Sequence, residues 1–88
     1  MPERTEVMRS TAGRDKGTLL AAVGLQDGFI LAADGRRRPL SRPKKKNPGH
    51  MVPTGETLPE EALRSDRALR RALRRAADLI GVCAVSDE

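Results

Sequence analysis

Residues able to do acid–base, nucleophilic or metal chemistry are scarce in this chain, while cations are abundant. His50 is its single histidine and Cys83 its single cysteine, so neither a nucleophilic pair nor a cysteine cluster with metal-ligand spacing can be assembled. A lone cysteine also rules out an internal disulfide. Glu60 and Glu61 are adjacent carboxylates, but neighbours in the first turn of a helix favour its dipole and point apart instead of sharing a proton. Gly13 and Gly17 bracket three residues, and the second is followed by Thr18. A phosphate-binding loop of nucleotide hydrolases needs four residues between its glycines and a Gly-Lys-Ser/Thr ending. No catalytic residue, metal or cofactor is expected, no small-molecule substrate is implied, and enzymes are set aside.

The chemistry that remains is electrostatic. Net charge is +5, from 17 basic and 12 acidic residues, and the basic residues are segregated. Arg36, Arg37, Arg38, Arg42, Lys44, Lys45 and Lys46 fall within eleven positions that hold no acid. Arg64, Arg67, Arg70, Arg71, Arg74 and Arg75 follow, offset only by Asp66. A solvated surface explains a few like charges, but an unrelieved run repels itself and gains little from folding, so a polyanion is its natural partner. A patch engaging about five to seven phosphates would bind with steep salt dependence and little sequence preference of its own. The arginines after Ser65 also suit a merely soluble helix face; six against one acid is lopsided for that purpose, and a secondary RNA or protein contact is expected there. The run Pro43-Lys44-Lys45-Lys46 has the look of a nuclear import signal, a reading disfavoured by its place inside a folded unit.

Short strands and one helix are available to position these charges. Residues 6–10 read as a first strand, ended by a turn over residues 11–17 whose glycines tolerate backbone angles denied to other residues. Residues 18–25 resume as a strand with two apolar or small faces: Leu19, Ala21, Val23 and Leu25 on one, Leu20, Ala22 and Gly24 on the other. Asp27-Gly28 signals a tight hairpin into a third strand over 29–33, where Phe29 is expected beside Leu31 in the core. Asp34-Gly35 turns the chain again into residues 36–40. Pro39, Pro43, Pro48 and Pro53 then interrupt ladder formation, so residues 41–49 are expected as an extended basic loop and 50–54 as a brief closing strand.

From Leu58 the pattern becomes helical. Pro59 with Glu60 and Glu61 suits a first turn, and Ser65-Asp66 offers an N-cap for a helix over 66–80 that stops at Gly81. Leu69, Ala72, Leu73, Ala76 and Ile80 share one stripe, the arginines mostly the other side. The second apolar face of the strands needs a cover, and this stripe is the surface left to supply it. The expected fold is mainly β, a small barrel with a C-terminal amphipathic helix packed against it. Its expected organisation is a barrel over residues 1–57 with the basic loop at 41–49, a helical segment over 58–82 and a tail over 83–88. With no apolar run near the roughly 20 residues a bilayer span needs and no signal-peptide pattern at residues 1–10, a cytoplasmic monomer without membrane contact is expected.

The stretch over residues 9–23, with its Ala12-Gly13-Arg14-Asp15-Lys16-Gly17 core, resembles the KOW motif: strand, Gly-basic-Asp-Lys-Gly turn, strand. The following blocks, at 27–38, 43–46 and 50–54, resemble small bacterial KOW proteins that are similar to a large-subunit ribosomal protein of archaea and eukaryotes. Asn47-Pro48-Gly49 departs from that pattern. The resemblance implies an SH3-like barrel and contact with structured ribosomal or ribosome-associated RNA, in translation or ribosome assembly. It places the RNA contacts at Gly13, Arg14, Lys16 and Gly17 and along Arg36, Arg37, Arg38, Arg42, Lys44, Lys45, Lys46 and His50. Arg67, Arg70, Arg71, Arg74 and Arg75 are the secondary contact. KOW domains also occur in transcription elongation factors, so an adaptor that binds proteins is the alternative. With Phe29, its single aromatic, expected in the core, the chain leaves loose bases little to stack on except arginine planes, which favours reading the backbone and shape of folded RNA.

Overall fold

The computed structural model describes residues 5–13 and 16–80. Within them the chain is mainly β, with strands β1 (Thr5–Ser10), β2 (Leu19–Gln26), β3 (Phe29–Ala33), β4 (Lys44–Lys46) and β5 (Met51–Leu58) and one helix, α1 (Asp66–Ile80). The strands form a single antiparallel sheet in the order β4-β3-β2-β1-β5. Asp27-Gly28 makes the expected tight turn: both residues adopt positive φ, 52° and 83°, the twist that suits a two-residue hairpin, and Gln26 faces Phe29.

Side-chain alternation divides the sheet between two cores. Val7, Leu19, Ala21 and Ala33 project to one face, where Leu58, Ala62, Leu69, Leu73, Ala76 and Ala77 cover them, so the helix packs on the sheet as its apolar stripe requires. Met8, Leu20, Ile30, Ala32 and Met51 project to the other and pack among themselves. That second face is closed by curvature. Laid flat, β4 and β1 would stand about 14 Å apart, three strand spacings. The Lys46 ammonium on β4 nevertheless donates to the Ala12 carbonyl just beyond β1, at 3.4 Å. The hydrogen-bonded ladder itself is open, with β4 and β5 as its edges.

The helix begins where its cap dictates. Ser65 Oγ accepts from the Ala68 amide at 3.0 Å, satisfying one of the free donors of the first turn. Leu69 and Leu73 are fully buried, and the first helical turn expected near Pro59 is a 3-10 turn, Glu60–Leu63. The stop expected at Gly81, together with Cys83, lies outside the described residues.

Four local expectations are corrected. The face assignment in β2 holds only to Val23, because β2 carries an extra residue between Ala22 and Gly24 and the parity flips; Leu25 then pairs with Ile30 and is 78% exposed. Phe29 is no core residue: it is 38% exposed, since the helix covers the Ala33 end of β3 and does not extend to the Phe29 end. Residues 36–40 form turns, and the strand lies later, at Lys44–Lys46, inside the expected loop over 41–49, which also contains the 3-10 turn Pro48–His50. Pro39 and Pro43 lack the amides a ladder needs, while the three lysines have them. The closing strand is longer than expected, reaching Leu58. Gly55, at φ 90°, absorbs a bulge opposite β1, and Thr54 repairs it by donating its hydroxyl to the Val7 carbonyl at 2.8 Å. Pro53 is tolerated because β5 is an edge.

Candidate nucleic-acid interface

Strand register determines which of the predicted cations meet. The β1–β2 hairpin leaves the sheet beyond the pair Arg9–Leu19, and Ala33, the last residue of β3, is aligned with Ala21 only two residues back along β2. Met51, which opens β5, faces Ser10 at this same end. The turn bearing Gly13, Lys16 and Gly17, the loop bearing Arg36, Arg37, Arg38 and Arg42, and His50 therefore all emerge from one end of the sheet.

Each piece is held by its backbone. In the hairpin, Gly13 and Gly17 have φ near +86° and +88°, and the Gly17 amide donates to the Ser10 carbonyl at 2.7 Å. The Thr11 amide donates to the His50 carbonyl at 2.8 Å, tying the hairpin to the 3-10 turn before β5. Lys16, Gly17 and His50 are exposed, and Arg14 lies outside the described residues.

In the loop, buried Asp34 is the organiser. Its Oδ1 accepts from the amides of Arg36 at 2.8 Å and Arg38 at 3.0 Å, folding the chain around the carboxylate so that Arg36 and Arg37 are exposed and Arg38 half-buried. The loop is then fastened to the helix. Asp66 Oδ1 accepts from the Leu40 amide at 2.8 Å, and the Arg70 guanidinium donates to the Gly35 carbonyl at 2.8 Å. Gly35, at φ +82°, lies so close that a Cβ there would stand 2.5 Å from the Asp66 carbonyl oxygen.

The basic run is thereby split. Arg36, Arg37, Arg42 and Lys44 are exposed, and among the described residues none has a carboxylate within ion-pair distance. Lys45 points elsewhere: its ammonium lies 3.9 Å from Asp27 and 5.7 Å from the Phe29 ring centre, at the far end of the sheet. Lys46 is buried and serves the fold through Ala12. Sequence reasoning weighed all seven cations alike, because a charge count carries no strand parity. It read Asp34 only as part of a turn and Asp66 only as part of a helix cap, and missed that their carboxylates hold the loop.

On α1, Arg67, Arg71, Arg74 and Arg75 are exposed on the side away from the sheet, and Arg70 is half-buried against the loop. Among the described residues no group of three or more histidine, cysteine or acidic side chains could hold a metal ion, and no helix is long and apolar enough to cross a membrane. No protein-family model matches the chain, and no curated protein matches it either.

Proposed function

We propose that this chain is a KOW-type RNA-binding protein whose curled sheet is an SH3-like barrel, and that it contacts the phosphate backbone of structured ribosomal or ribosome-associated RNA in the cytoplasm. The observation that carries this reading is the gathering of the 11–17 hairpin, the 34–42 loop and His50 at one end of the sheet, with Arg36, Arg37 and Arg42 exposed and without acidic partners among the described residues. Unneutralised cations on a fixed backbone release counterions from a polyanion with only their side chains left to order, which favours phosphate contact over solvation. The curvature that brings Lys46 to Ala12, and the single 3-10 turn linking β4 to β5, suit a small barrel whose edges are short.

The alternative, an elongation-type adaptor that binds proteins, would be favoured by a continuous apolar surface. Leu25 and Phe29 project to opposite faces of one hairpin, and among the described residues the other exposed large apolar side chains, Val52 and Leu79, belong to β5 and α1. The RNA reading is tested by changing Arg36, Arg37 and Arg38 together to Glu. Co-sedimentation with ribosomal RNA should be lost while the far-ultraviolet circular dichroism spectrum is retained; unchanged sedimentation defeats the reading.

A further inference from the structure

Taking the RNA-binding reading as its premise, the structure assigns the ligand class: we infer that the loop and the helix arginines form one rigid surface shaped for double-helical RNA rather than for a single strand. The two rows of charge are not independent. Asp66 binds the Leu40 amide and Arg70 binds the Gly35 carbonyl, both at 2.8 Å, so the loop carrying Arg36 and Arg37 is fixed to the first turns of α1.

From Arg70 the charges continue around the helix away from the sheet. Arg74 lies about 40° and Arg67 about 60° around the axis from it, and Arg71 and Arg75 extend the row over a rise of about 12 Å. Arg67, Arg71, Arg74 and Arg75 are all exposed, and none has a carboxylate within ion-pair distance among the described residues. Asp66, the acid at the start of the row, is engaged by Leu40, and Asp78 stands beyond its far end. The array therefore presents phosphate-binding groups along two directions from backbone positions whose spacing the protein does not adjust.

A flexible strand gains little from such fixed spacing, because it can adapt to any arrangement of charge. A duplex, whose phosphates stand at set intervals on two backbones, gains the ordering already present in the protein. The surface also offers a single strand arginine planes and His50 but no Phe, Tyr or Trp on which to stack. The one aromatic, Phe29, is at the opposite end of β3 from this loop, about 13 Å along the strand, with Lys45 over its ring.

The test is fluorescence anisotropy with a 20-base-pair RNA duplex, one of its strands alone, and poly-glutamate, each across a salt series. The intact protein should bind the duplex at least tenfold more tightly than the strand. Changing Arg71, Arg74 and Arg75 together to Gln, a residue that keeps the helix, should lower the slope of log affinity against log salt by about two to three for the duplex. Strand binding should move less than twofold. An unchanged duplex slope in a variant with native circular dichroism overturns the inference and leaves RNA binding standing. Equal affinity for poly-glutamate assigns the stripe to acidic proteins and overturns it too. Failure of the intact protein to bind either RNA defeats the underlying functional reading instead.

Discussion

Replacing Gly35 by Ala tests the junction on which the interface rests. Two separate costs are expected. Gly35 has φ +82°, and an L-residue there pays about 1–2 kcal/mol for the left-handed conformation. The added Cβ would also stand 2.5 Å from the Asp66 carbonyl oxygen and 3.0 Å from Arg70 Cγ, and the first of these is helix backbone that cannot swing aside. The loop must lift, breaking the Arg70 bond to the Gly35 carbonyl, a charge-assisted hydrogen bond worth about 1.5–3 kcal/mol. The sum is about 3–5 kcal/mol.

Gly28 supplies the control: its φ is +83°, and nothing lies within 4 Å of a Cβ built there, so Gly28→Ala incurs the backbone cost alone. At roughly 4–8 °C per kcal/mol for a domain of this size, Gly28→Ala should lower the melting temperature by about 4–16 °C and Gly35→Ala, at more than twice the energetic cost, by about 12–40 °C. Thermal unfolding followed at 222 nm reads both. Equal losses in the two variants would show that the loop does not bear on the helix and would refute the argument for a rigid junction.

Lys46→Met should cost about 0.5–1.5 kcal/mol in urea unfolding by removing the ammonium's bond to the Ala12 carbonyl, which keeps the Ser10 hydroxyl as a donor, yet leave the salt slope of RNA binding untouched; a slope lowered by one would make Lys46 a phosphate contact. Leu73→Ala removes a fully buried side chain between helix and sheet and should destabilise by about 2–5 kcal/mol, whereas Leu25→Ala, at 78% exposure, should stay within about 0.5 kcal/mol. Ser65→Ala should lose about 0.5–2 kcal/mol through the uncapped Ala68 amide, and a stability equal to wild type would mean that the cap contributes nothing.

Much of the fold is written in local pattern. The helix was legible in its start at Asp66 and in its buried face because a serine cap, a 3.6-residue apolar stripe and a dense set of helix formers all agree. The hairpin at Asp27-Gly28 was equally plain, since aspartate tolerates and glycine freely adopts the left-handed angles it needs. Short-range signals failed where a strand changes phase. Nothing in the sequence around Val23 announces an extra residue, and nothing near Thr54 announces that a hydroxyl will bridge a bulge to β1, because both depend on the neighbouring strand.

The candidate interface divides in the same way. The order of residues alone determined that the chain carries two blocks of cations nearly free of acids, because charge and residue type are properties of the chain and not of its path. Only the tertiary structure decided which cations stand exposed and which serve the fold. Strand parity buries Lys46 and sends Lys45 to Phe29, while two contacts made 26 and 35 residues apart in sequence join the loop to the helix. Long-range geometry of this kind depends on how layers pack, and packing is a relation between segments that no single segment encodes.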